Sequence, residues 1–91
     1  MNDEEFDELR TSAVTYGTQH GVDVYLEVDD VEASPVQPGG ERVILHVSRE
    51  MPDGQPPRVW NEAPNYRPEV PDLLERIRRD VRRAAQALWA E

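Results

Sequence analysis

The chain is predicted to be a small α+β domain: an antiparallel meander of about three strands, covered on one face by a C-terminal amphipathic helix and by an N-terminal helix. Three observations predict it. Apolar residues at Val70, Leu73, Leu74, Ile77, Val81, Ala84, Ala85 and Leu88 follow the spacing of one helix face. At ~100° per residue these eight fall within an arc of roughly 120°, wide enough to cover a sheet. Val22, Val24, Leu26 and Val28 alternate with Asp23, Tyr25, Glu27 and Asp29, the pattern of a strand with one buried and one wet face. Val43, Leu45 and Val47 repeat that alternation after the breaker cluster Ser34–Gly40. The order is therefore α-β-β-β-α.

The last helix is bounded by Pro71, which suits a first helical turn, and by Asp72 and Glu75 at its positive end. Five arginines (Arg76, Arg78, Arg79, Arg82 and Arg83) occupy its flanks and outer face. They read either as partners for the acidic front of the chain or as a basic contact surface, with Arg78 and Arg82 placed to stack on Trp89.

Residues 2–21 admit two readings. As a helix, Asn2 or Asp3 caps the start, and Phe6, Leu9, Ala13, Tyr16, Gly17 and His20 share one face before Gly21 closes it. As a strand, Thr11–Thr18 is rich in β-favouring residues. The persistence of the stripe favours the helix. The strands Val22–Val31 and Glu41–Glu50 form a hairpin with a generous loop, and Ile44 and His46 lie on the side opposite Val43 and Leu45. Residues 51–69 form a Pro-rich irregular connection, in which Arg58–Asn61 is expected as a short edge strand. The element order is similar to that of the double-stranded-RNA-binding domain. That family places basic residues at the start of its last helix, where this chain has Pro71, Asp72 and Glu75, so the likeness carries no function.

Ninety-one residues suffice for one domain, spanning 1–91. There is no cysteine, which fits a reducing cytoplasm and removes disulfide and thiolate chemistry. No apolar run exceeds the four residues Ala87–Ala90, so neither a membrane span nor a signal peptide is expected. The net charge of −9 is uneven, with acids concentrated in residues 1–32 and arginines in the last helix. All ten cationic residues are arginine.

Catalytic and ligand motifs are not evident. Ser12, Ser34 and Ser48 lack a Gly-x-Ser-x-Gly elbow. Gly39-Gly40 lacks the Lys-Ser/Thr that completes a phosphate loop. His46 and Glu50 stand roughly 13 Å apart on a strand, too far to share a metal. The sequence therefore predicts a non-enzymatic, cytoplasmic interaction module with no cofactor or metal, binding a protein partner or forming a homodimer. Direct nucleic-acid binding is disfavoured by the overall acidity. Candidate contact residues are Val59, Trp60 and Tyr66 in the Pro-rich connection, and Asp23, Tyr25, Glu27 and Asp29 on the wet strand face. Alternatives are an immunity-type inhibitor whose carboxylates imitate a nucleic-acid backbone, and a structural accessory subunit. A small enzyme or ligand-binding domain ranks last.

Overall fold

Residues 1–90 are described by the computed structural model. The ambiguous N-terminal segment is helix α1, Asp3–Gln19. Asn2 caps it reciprocally: its Oδ1 accepts the Glu5 N–H at 2.8 Å, and its Nδ2 donates to Glu5 Oε1 at 2.8 Å. Asp3, Glu4 and Glu5 fill the positive first turn. Ala13 and Gly17 are buried, and Phe6, Leu9 and Tyr16 pack at their side. The β-favouring Thr15–Thr18 stretch stays helical because tertiary contact there requires it. Gly17 meets the following strand with no room for a side chain, and its carbonyl accepts the Val22 N–H at 3.0 Å.

Strand β1, Asp23–Val31, pairs antiparallel with β2, Gly40–Arg49, in an unbroken register from Asp23 opposite Ser48 to Val31 opposite Gly40. Val24, Leu26, Val43, Leu45 and Val47 point into the core with Val22. Val28 departs from the expected alternation: it lines an open groove beside the start of α1 and stays partly exposed.

The third ribbon is more extensive than expected. Its first part, β3, is Arg58–Val59, shorter than the anticipated Arg58–Asn61. A further strand, β4, Asn65–Tyr66, lies in the stretch expected to be irregular. Both pair with β2. Val59 opposes Ser48 and Asn65 opposes Ile44, so six steps on this ribbon span four on β2, leaving two extra residues to bulge between them. The bonds Trp60 N–H to Val47 O (2.9 Å) and Leu45 N–H to Pro64 O (3.0 Å) continue the pairing on either side of that bulge.

Helix α2, Leu73–Trp89, begins three residues after the apolar periodicity does. Asp72 takes a left-handed conformation, with φ of 57°, and its carbonyl accepts the Arg76 N–H. Pro71 therefore lies before the helix rather than in its first turn, while Val70 still packs on the core edge. Leu73, Ile77, Val81, Ala84, Ala85 and Leu88 are buried, with Ile77 and Val81 fully enclosed beside Val43, Leu45 and Val47. The last turn carries no basic residue of its own. Arg49 and Arg58 reach from the sheet and donate to the Leu88 carbonyl at 3.0 and 3.1 Å, supplying the positive charge that a helix C-terminus favours. Among the described residues, no helix is long and apolar enough to cross a membrane.

Gly17→Ala tests the α1–β1 contact. A Cβ there would stand 2.5 Å from Val24 Cγ2 and 3.1 Å from the Val22 carbonyl oxygen. Alanine gains about 1 kcal/mol of helix propensity, but overpacking a stiff β-branched neighbour costs about 1–3 kcal/mol. Net destabilisation is expected, read as a lower urea midpoint. A stabilised Gly17→Ala protein would contradict the close approach.

Candidate functional site

Both helices cover the same side of the sheet, and the other side is open. Alternation along the strands turns Asp23, Tyr25, Glu27 and Asp29 of β1 to that open side, with Ile44, His46 and Ser48 of β2 in register beside them. Val59 follows opposite Ser48. Tyr25 is 60% exposed and Val59 70% exposed. The Tyr25 and His46 rings lie 5.7 Å apart, and His46 Nε2 stands 3.3 Å from Glu27 Oε1.

Charge on this face is largely uncompensated. Arg42 is the register partner of Asp29, yet it is buried. Its guanidinium turns away to donate to the carbonyls of Pro38 (2.6 Å) and Glu41 (3.0 Å). Among the described residues, Asp23, Asp29, Asp30 and Glu32 form no ion pair, and Glu27 meets only His46. The arginines of α2 do not neutralise the acidic front of the chain. Arg78 pairs with Glu75, while Arg83 pairs with Asp80 and Glu62. Arg82 donates to the Tyr16 hydroxyl at 2.7 Å. The expected stacking on Trp89 is also made differently. Arg49 lies 3.5 Å over that indole, whereas Arg78 and Arg82 approach Tyr16 at 5.4 and 6.0 Å.

The structure thus brings Asp23, Tyr25, Glu27 and Asp29 onto one face with Val59, and separates Trp60 and Tyr66 from them. Pairing of the third ribbon with β2 turns Trp60 and Tyr66 to the helix side, where both are buried. They close the core instead of presenting aromatic surface to solvent. The Tyr66 hydroxyl donates to Asp80 Oδ2 at 2.5 Å, and Arg83 donates to Asp80 Oδ1 at 3.0 Å. Arg83 also binds Glu62 and lies 5.6 Å over the Trp60 ring. In the sequence Asp80 reads only as an acid among arginines; its place at the margin of the apolar arc, next to Leu73 and three residues after Ile77, is the available signal. Among the described residues, no group of His, Asp and Glu side chains is arranged to hold a metal.

Comparison with known protein families, with curated proteins and with solved structures returned no match to this chain.

Burial first, then the hydrogen bond to Asp80 and that carboxylate's charge, raise the Tyr66 phenol above its ordinary pKa of 10.0. The folded state therefore keeps a proton that the unfolded chain releases above about pH 10, so this contribution to stability is present below that pH and lost as pH rises. Tyr66→Phe should cost about 1–3 kcal/mol at neutral pH by leaving Asp80 short of a donor, and should flatten the alkaline fall. Urea midpoints measured between about pH 8 and pH 11 check both; an unchanged alkaline slope in the Phe variant would contradict the assignment.

Proposed function

We propose that this protein acts by binding rather than by catalysis, as a small acidic interaction module whose open sheet face docks a basic surface on a protein partner. The observation that carries the reading is the arrangement of Asp23, Glu27 and Asp29 around exposed Tyr25, with the register cation Arg42 turned away. Uncompensated carboxylates speed the encounter with a cationic partner and discriminate against acidic ones. Tyr25 and Val59 supply apolar area that can be desolvated on contact. An inhibitor that imitates a nucleic-acid backbone is a narrower form of the same reading, in which the spaced carboxylates occupy phosphate positions on the basic protein. The absence of cysteine fits a cytoplasmic setting for such a module. Self-association through β1 is opposed by its own like charges.

The test is capture by immobilised protein from extract of its source. The bound partner should elute as salt rises from about 0.05 to 0.5 M, because exposed charge contacts are screened. A Asp23→Asn, Glu27→Gln, Asp29→Asn triple variant should fold normally and bind at least about tenfold more weakly, the sum of several contacts of about 0.2–1 kcal/mol. Salt-insensitive capture, or equal capture by the variant, would count against the charged face.

A further inference from the structure

From the free edge of β1 we infer that the partner is engaged by strand addition: an extended segment alternating apolar and basic residues pairs with Leu26 and Val28. This rests on the reading above and specifies the partner's form and chemistry.

β1 is nine residues long and, among the described residues, pairs with β2 alone. Its unpaired backbone groups can be identified. Leu45 and Val47 direct theirs to the third ribbon, through Leu45 N–H to Pro64 O and Trp60 N–H to Val47 O. Ile44, His46 and Ser48 must then face β1, where their register partners are Glu27, Tyr25 and Asp23. Val24, Leu26, Val28 and Asp30 therefore turn their N–H and C=O groups to the open edge. One bond corroborates this parity: the Asp30 N–H is taken by its neighbour's carboxylate, Asp29 Oδ1, at 2.9 Å. Asp29 thus closes the far end of the edge. Among the described residues, no backbone group bonds Leu26 or Val28 on that side.

A groove of about 470 Å³ runs along the same part of the edge, against the first turns of α1. Phe6 and Val28 give it apolar surface above the buried Leu26, while Asn2, Asp3, Glu27 and Glu41 make the rest of its lining polar and acidic. A strand laid beside β1 has alternate side chains on opposite faces. One set enters the groove against Phe6 and Val28, and the other emerges beside Tyr25, Glu27 and Asp29. Charge complementarity makes that second set arginine or lysine. It also argues against a second copy of this chain, because β1 against β1 would oppose acids to acids. Strand addition provides main-chain bonds for affinity and alternate side-chain sites for selectivity.

The probe is a synthetic octapeptide of four Arg-Val repeats, acetylated and amidated, titrated into the intact protein while amide exchange is followed by NMR. The Leu26 and Val28 amides should exchange quickly in the free protein and be slowed at least tenfold by the peptide. In antiparallel addition the residues facing the groove are those that bond to β1. N-methylating the valine amides should therefore weaken binding at least about tenfold, and N-methylating the arginine amides should not; parallel addition reverses the two. A Glu-Val peptide should not bind. Equal binding by the two methylated peptides, or binding without protection at Leu26 and Val28, overturns strand addition while leaving the charged face as a docking surface. No binding of the Arg-Val peptide up to about 1 mM also overturns it. Salt-sensitive capture of the partner then decides separately whether the broader reading stands.

Discussion

The structure depends on the apolar seam of α2 lying over the valines of β2. Ile77 and Val81 are fully enclosed, as are Val43, Leu45 and Val47, and β2 is the strand to which every other strand pairs. Because side chains alternate with a period of two, burying Val43, Leu45 and Val47 fixes what every neighbouring strand shows to solvent. One residue of slippage would bury Tyr25, Glu27 and Asp29 and expose Leu26. The open acidic face is thus a consequence of the core, held in register by the same contact that stabilises the domain.

The parts of the fold written in the sequence are those with a repeated period. Seventeen residues of α2 present a helical stripe, and β1 and β2 alternate over most of their length, so local pattern and tertiary burial agree. The third ribbon has no such repeat: two strands of two residues, separated by a bulge and bordered by prolines, do not make a period. Its orientation is set by bonds to β2, and with it the burial of Trp60 and Tyr66. Aromatics in a Pro-rich stretch resemble exposed anchors when only neighbours in sequence are visible. In the folded chain they are the plug at the side of the core. The acids of β1, by contrast, share a face that strand alternation alone dictates.

Long-range polar contacts explain the remaining differences. Arg49 reaches Trp89 and the Leu88 carbonyl across 39 residues of chain, and Trp89 donates to the Gly21 carbonyl at 3.1 Å. The end of α2 is therefore tied to both the sheet and the α1–β1 turn by groups that no spacing rule connects. Asp80 is a similar case. An acid on the buried arc of a helix costs free energy unless its oxygens are bonded, and here each oxygen has a donor, Tyr66 on one and Arg83 on the other. Apolar side chains at the same places would tolerate several positions of the third ribbon; a short bond from Tyr66 to one carboxylate oxygen selects among them.

The charge of β1 acts in two directions. A nine-residue edge with unbonded amides at Leu26 and Val28 is a template on which other strands can assemble, and a neutral edge of this length would invite its own copies. Carboxylates at Asp23, Glu27 and Asp29 oppose that pairing, and Asp29 also caps the Asp30 amide. The device that protects the edge is selective, however, because repulsion of an acidic strand is attraction of a basic one. Arg42 decides the balance. Were its guanidinium laid against Asp29, its register partner, the face would lose part of its field; bound instead to the Pro38 and Glu41 carbonyls, it supports the turn beneath the strand and leaves the carboxylate free.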